Sequence, residues 1–342
     1  MTNQNELIGV LLAAGKGLRA YPTTKFLPKP LFKVDGETLL LRNINILINN
    51  FHVKEIIIVV GHLGQQIIDY VKSLKLDIKI KFVNQNKING IANAIYILKD
   101  DLKDKKFVTI LADEYYHDAN YEEFRNKISL NYSAITTFIK EKNPNIVKKN
   151  FIGKFNKEKV LDLEEKPKNP QTDLMGVGTY FFTDKVFEFI ENTSASKLRN
   201  EKEITDVLAN MAKNTEVGFQ VLDTKYFNIS NRSDLITANY IVRSLNFNNK
   251  KKTLIIPAYN EERSIKYVIE DFKDYKIFDE IIVIDNNSKD KTFEISKNLN
   301  IKVVEEKKQG YGNAIMRGFE ESSGDIIFIT EADGSFKGRD IK

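Results

Sequence analysis

Residues Ile8 to Leu31 read IGVLLAAGKGLRAYPTTKFLPKPL, and the fold follows from how this stretch is parsed. It opens with an apolar run of strand length carried by Ile8, Val10, Leu11 and Leu12. Small residues and glycines follow at once: Ala13, Ala14, Gly15 and Gly17. Glycine admits positive φ and a close backbone approach, so successive N–H groups can converge on an anion. Arg19, Lys25 and Lys29 add cationic heads, while Pro22, Pro28 and Pro30 stiffen the segment that carries them. A buried strand, a glycine turn and spaced cations together suit the phosphates of a nucleoside triphosphate. A GxG turn alone reads as an ordinary strand-to-helix connection, and it is the whole string AAGKGLR, PTT, PKPL that points to a ligand. The phosphate-loop pattern GxxxxGK[ST] is absent.

Strand and helix patterns alternate downstream. Leu39, Leu40, Ile44, Leu47 and Ile48 recur at helical spacing, and Glu55 to Val60 (EIIIVV) is an unbroken apolar run, as in a strand buried on both faces. Ile67, Ile68 and Val71 mark a second helix, and Ile78 to Val83 a third strand. This order predicts an α/β, Rossmann-like, doubly wound parallel sheet with its ligand at the strands' carboxyl ends. Gln85 falls just past the third strand, and Gly90-Ile91-Ala92 opens a helix. Phe107 to Leu111 is the next strand, and Ala112-Asp113-Glu114 leaves its carboxyl end. A carboxylate there suits Mg²⁺, which takes few protein oxygens and keeps positions for phosphate. His117 reads as a surface residue.

The AAGxGxR string followed by PKPL resembles the signature of the sugar-phosphate nucleotidyltransferases, and the resemblance runs from about Leu7 to Ala238. It implies that Ala13, Ala14, Gly15 and Gly17 bind the nucleotide, that Gln85 reads the base, and that the Gly90 backbone packs on it. Arg19 and Lys29 would neutralise the triphosphate and its leaving group. In Leu161–Pro167 (LDLEEKP), Glu165 would accept from sugar hydroxyls and Lys166 would neutralise the sugar phosphate. Gly178, within Met175–Phe182, would lie in the sugar-pocket strand. Mg²⁺ or Mn²⁺ would sit on Asp113 and on Asn228, where many members of the family carry a second aspartate. One departure is Asn150-Phe151-Ile152-Gly153, where the family often has an aromatic-glycine pair, so the glycine's register stays open.

The implied reaction joins a sugar 1-phosphate to a nucleoside triphosphate and releases pyrophosphate. A cytidylyltransferase for a phospho-alcohol such as phosphocholine has a similar opening loop and a segment like Val34–Leu40 (VDGETLL), but Gly90–Ile95 and EEKP favour a sugar. A non-catalytic nucleotide-sugar sensor should have lost the cations or the metal acid, and Arg19, Lys29 and Asp113 are all present.

Asn246 to Lys252 (NFNNKKK) is polar and aperiodic and reads as a linker between a first domain at 1–245 and a second at 253–342. Strand-helix alternation restarts at Thr253. Pro257–Glu262 (PAYNEE), Asp285–Thr292, Gly310–Ala314 and Glu331–Gly334 follow in order. Together they resemble the family 2 inverting glycosyltransferases related to dolichyl-phosphate mannose synthase. That resemblance implies a second, GT-A-like domain binding a nucleotide sugar. Glu261 would be the acid of the PxYNE loop, Asp285 would hold the nucleoside, and Glu331 and Asp333 would place a divalent metal on the diphosphate. Glu331 stands where the family has Asp. By this reading the second domain is truncated to its donor-binding half, with the acceptor half expected beyond Lys342.

Composition bounds the rest. Lys and Arg total 52 against 47 Asp and Glu, a net charge of only +5, and the lysines are scattered, so no nucleic-acid partner is implied. The lack of cysteine excludes disulfides and thiolate metal sites and fits a reducing cytoplasm. The start MTNQNEL has no apolar signal region, and no apolar run approaches the roughly 18 residues of a membrane span. A cytoplasmic enzyme is therefore expected. Its oligomeric state is left open, a homo-oligomer included.

Overall fold

The computed structural model describes residues 7–87, 89–157, 159–196 and 201–341. The chain divides into two compact units between Val242 and Arg243. The strands of the first unit are β1 (Leu7–Ala13), β2 (Lys33–Val34), β3 (Glu37–Thr38), β4 (Glu55–Val60), β5 (Lys79–Asn84), β6 (Lys106–Leu111), β7 (Glu114–His117), β8 (Ala134–Lys140), β9 (Phe151–Asn156), β10 (Lys159–Glu165), β11 (Leu174–Thr183), β12 (Val217–Val221) and β13 (Lys225–Asn228). Nine of them form one sheet in the order β5-β4-β1-β6-β11-β8-β12-β10-β9.

The first four, β5-β4-β1-β6, are parallel, as the strand-helix alternation predicts. Their hydrophobic residues divide between two cores. Ile56, Ile58 and Val60 of β4 join Leu40, Ile44 and Leu47 of the helix Leu39–Asn49 on one face. Ile57 and Val59 join Val10, Ile95 and Leu98 on the other. An isoleucine buried in such a layer costs about 2–5 kcal/mol to truncate to alanine. The helix itself starts where the Thr38 hydroxyl accepts from the Leu41 N–H at 3.1 Å. The turn Asp35-Gly36 between β2 and β3 has φ of 50° and 87°, the paired positive values of a type I′ hairpin.

Beyond β6 the sheet becomes mixed. β11 runs antiparallel to both β6 and β8, β12 is parallel to β8, and β10 is antiparallel to β12 and β9. A separate ribbon pairs β7 with β13, bringing Asn228 opposite Glu114. Because β1 feeds β4 and β5 on one side while β6 lies on the other, the strand order reverses at β1. That places a crevice outside the carboxyl ends of β1 and β6.

The second unit has a four-stranded parallel sheet, β16-β15-β14-β17, made of β14 (Lys252–Ala258), β15 (Glu280–Asp285), β16 (Lys302–Glu305) and β17 (Ile326–Ile329). The stretch 246–252, read above as an irregular linker, is mostly regular. The helix Arg232–Asn249 continues through 246–249, and Lys252 already opens β14. The cause is Phe247, an anchor within a polar string. Its ring packs edge-on to Phe328 at 6.3 Å, and the Lys252 ammonium lies 4.8 Å from its centre. Among the described residues no helix is long and apolar enough to cross a membrane.

Candidate active site

The crevice holds a cavity of about 380 Å³, lined by all thirteen residues singled out in the first domain. On the β1 side, Ala13 ends the strand and Ala14, Gly15 and Gly17 form the turn. Gly17 has φ of 63°, and a Cβ there would lie 2.9 Å from Thr24 Cγ2 and 3.1 Å from Lys29 Cγ. Glycine at 17 therefore allows the left-handed backbone and also lets the Lys29 stem lie against it. The Thr24 hydroxyl donates to the Gly17 carbonyl at 3.0 Å, closing the loop on itself. Lys29 is buried, and its Nζ lies 3.1 Å from Asp113 Oδ2. Arg19 is exposed on the same loop.

Across the crevice, Gln85 follows β5 directly and is buried. Its backbone N–H donates to the Val60 carbonyl at 2.8 Å, tying it to the end of β4. Its side-chain amide donates to Asn93 Oδ1 at 3.2 Å and to the Gly90 carbonyl at 3.4 Å. Gly90 has φ of 94°, and a Cβ there would crowd the Glu201 carboxylate at 3.2 Å.

Asp113 and Asn228 adjoin because the β7–β13 ribbon continues into a bond from the Ile229 N–H to the Asp113 carbonyl at 3.1 Å. One carboxylate, one carboxamide and an open cavity make an oxygen donor set of the kind Mg²⁺ uses when phosphates and waters supply its other ligands. The two residues thus fit a substrate-shared divalent ion. Among the described residues no group of three or more His, Cys, Asp or Glu could hold a metal by itself.

Glu165 and Lys166 close the far end. Glu165 ends β10 and accepts from the Thr205 hydroxyl at 2.8 Å. Lys166 has φ of 49°, its N–H donates to the Asn150 carbonyl at 2.7 Å, and its Nζ lies 3.9 Å from Glu165 Oε1. The open glycine register resolves here. Phe151, not Gly153, lies opposite Glu165 across β9 and β10 and lines the cavity. A Cβ on Gly176 would lie 2.1 Å from the Phe151 ring, so glycine at 176 makes room for that ring.

Sequence reasoning assigned no role to Glu114, which is 3% exposed. Its carboxylate accepts from the Tyr116 hydroxyl, from the Tyr226 hydroxyl at 2.8 Å and from the Gly178 N–H at 2.8 Å. Burial pushes its carboxyl up to about 7, against these hydrogen bonds, which favour the charged form. The available signal was the Asp-Glu doublet at a strand end, where neighbouring side chains face opposite ways. His117, read as a surface residue, is buried and stacks on Tyr115 with ring centres 6.5 Å apart.

In the second unit, Glu261, Glu331 and Asp333 line a cavity of about 410 Å³. Asp285 is not on that lining. It is buried at the end of β15, where its Oδ2 accepts from the Ser288 N–H at 3.2 Å, and its neighbour Asn286 lines the cavity instead. Glu261 accepts from the Ser264 hydroxyl at 2.7 Å. The Ser335 N–H and hydroxyl both donate to Asp333 and hold its carboxyl below the usual range.

The sequence profile of the family described as nucleotidyl transferase matches residues 8–245, and that of glycosyl transferase family 2 matches residues 253–342. Among curated proteins, the bifunctional protein GlmU of Methanocaldococcus jannaschii is 31% identical over 249 residues, covering 71% of this chain and 56% of its own length. The low-salt glycan biosynthesis nucleotidyltransferase Agl11 of Haloferax volcanii is 27% identical, covering 68% of this chain and 65% of its own. The chain spans about half the length of the GlmU relatives it matches. Among solved structures, a UDP-glucose pyrophosphorylase complexed with UDP-glucose superposes with a TM-score of 0.63 at 21% identity, over 70% of this chain and 99% of that one. A putative glucose-1-phosphate thymidylyltransferase from Bacillus anthracis gives 0.62 at 24% identity, over 69% and 95%. At these identities the structures speak to the fold.

Proposed function

Because the chain belongs to the nucleotidyl transferase family, we propose that its first unit makes a nucleoside diphosphate sugar from a sugar 1-phosphate and a nucleoside triphosphate. The observation that carries this reading is the convergence on one cavity of loop cations, a strand-end acid, a base-side glutamine and the Glu165-Lys166 pair. A sugar phosphate oxygen attacks the α-phosphorus in line, pyrophosphate leaves, and no covalent intermediate forms. The protein contributes position and charge compensation. The turn N–H groups from Ala14 to Gly17 orient the phosphates. Arg19 and Lys29 offset the charge on the departing pyrophosphate, and Lys166 offsets that of the incoming phosphate. Glu165 accepts from sugar hydroxyls, and the Gln85 carboxamide meets the base edge. Asp113 and Asn228 would hold Mg²⁺ or Mn²⁺, which when bound neutralises phosphate oxygens.

The second unit, on this reading, binds a nucleotide-sugar donor, with Glu331 and Asp333, which line its cavity, toward the diphosphate; Asp285, buried off that lining, is given no direct contact with the donor. The test is pyrophosphate release from a panel of nucleoside triphosphates, each paired with hexose 1-phosphates, amino-sugar 1-phosphates and phosphocholine. Release with a sugar phosphate is expected. Release with phosphocholine alone would replace the sugar in this reading, and no release with any pair would overturn it.

A further inference from the structure

Asp113 and Glu114 are neighbouring carboxylates with opposite surroundings. Asp113 meets Lys29 in the cavity, whereas Glu114, which also borders it, is 3% exposed and takes three hydrogen bonds from three strands. Tyr116 belongs to β7, Tyr226 to β13 and Gly178 to β11. The Gly178 bond has a specific cause. Along β11, Val177 pairs with Thr137 and Tyr180 with Thr136, so two extra residues, Gly178 and Thr179, bulge between them. On the other side, the pairing of β11 with β6 runs from Thr183 only to Thr179. The Gly178 N–H therefore falls outside both ladders, and a buried N–H needs an acceptor. Glu114 supplies it. No side chain fits at 178, since a Cβ would lie 2.4 Å from Leu111 Cδ1 and 2.7 Å from Glu114 Oε2.

We propose that Glu114 is a positioning residue for the sugar-phosphate end of the cavity, acting through the Gly178 N–H to hold the β11 bulge in place. The inference rests on the functional reading above. Val177 and Gly178 form cavity wall together with Glu165 and Phe151. Glu114 borders the cavity too, but both its carboxylate oxygens accept hydrogen bonds from within the protein, so its part is to hold the wall in place and not to bind metal or nucleotide. Its removal frees the Gly178 N–H, lets the bulge relax and misplaces the wall facing the sugar. The loss therefore falls on the sugar phosphate and not on the triphosphate.

The test compares Glu114→Ala, Glu114→Asp and Glu114→Gln, with each substrate varied separately in pyrophosphate release and the melting temperature of each variant recorded. Glu114→Asp keeps the carboxyl group but withdraws its oxygens by one methylene. Glu114→Gln keeps an acceptor for Gly178, and its amide can donate to the Tyr226 hydroxyl. Glu114→Ala and Glu114→Asp are expected to raise KM for the sugar phosphate by about tenfold or more. KM for the triphosphate should stay within about twofold, and Glu114→Gln should recover most of the loss. If Glu114→Ala fails to fold, Glu114→Asp carries the comparison. An unchanged sugar-phosphate KM in a folded variant, or an equal rise for both substrates, would overturn the positioning role while wild-type turnover upholds the functional reading. An inactive wild type would remove that reading and this inference together.

Discussion

Lys29 Nζ and Asp113 Oδ2 stand 3.1 Å apart, an ion pair that joins the turn after β1 to the loop after β6 across the point where the strand order reverses. The acid read as a metal ligand is thus already partly neutralised by a cation read as a phosphate ligand. A free divalent ion must approach against that ammonium, whereas a triphosphate gives the ammonium a new partner.

Lys29→Met is accordingly expected to shift two properties in opposite directions. Affinity of the nucleotide-free protein for Mn²⁺, followed by the paramagnetic signal of the free ion, should rise several-fold. Pyrophosphate release should fall by roughly 10²-fold. Equal Mn²⁺ affinity in the two proteins would refute the idea that Lys29 guards the acid.

Arg19 makes no packing contribution of this kind, being exposed on the loop. Arg19→Ala should melt at the wild-type temperature and still lose on the order of 10²-fold in turnover. A folded variant with near wild-type turnover would remove Arg19 from the reaction.

Asp113→Asn should impair metal-dependent turnover more than Asn228→Ala, because a carboxylate neutralises an ion that a carboxamide only coordinates. Chelation with EDTA should abolish wild-type activity and excess Mg²⁺ should restore it. The reverse ranking of the two variants would count against the assignment.

Gly176→Ala should destabilise the first unit by about 1–3 kcal/mol through overpacking against the Phe151 ring. Adding Phe151→Ala should recover part of that loss, a coupling that a double-mutant cycle read by denaturant melts would measure. Simple additivity of the two changes would show that the ring and the glycine are not partners.

The parallel half of the sheet was legible because each of its strands carries its own signal, an apolar run in β1, β4 and β6 and alternation in β5, then a glycine or a polar break at the carboxyl end. The mixed half was not, since nothing within Leu174–Thr183 states that this strand pairs with both β6 and β8. Pairing partners are a long-range property, and local pattern gives only the strand. Several candidate residues came from the same strand ends, Ala13 at β1, Gln85 after β5 and Asp113 after β6. Phe151 escaped because which residue faces Glu165 depends on the β9–β10 register. Glu114 escaped because the N–H it serves is exposed only by a bulge 64 residues away in sequence. The polar letters around Phe247 hid an anchor that composition averages out.

The apolar run Ile56–Val60 of β4 has a further consequence for how the chain finds its sheet. A strand that is polar on one face is locked in phase by its own alternation, since a slip of one residue would bury the polar side. Ile56–Val60 lacks that safeguard, being apolar toward both cores. Its phase has to be read elsewhere, and two notches beside it can do so. A Cβ on Gly9 would press on Leu47 at 2.9 Å, and one on Gly61 would strike the Ala14 carbonyl at 2.8 Å. Sliding β4 one step along β1 would drive a valine or a histidine side chain into the Ala14 notch. The two glycines thus act as a vernier for the central strands, and filling either one should yield mispaired, aggregating chains during refolding in preference to a native state that is merely weaker.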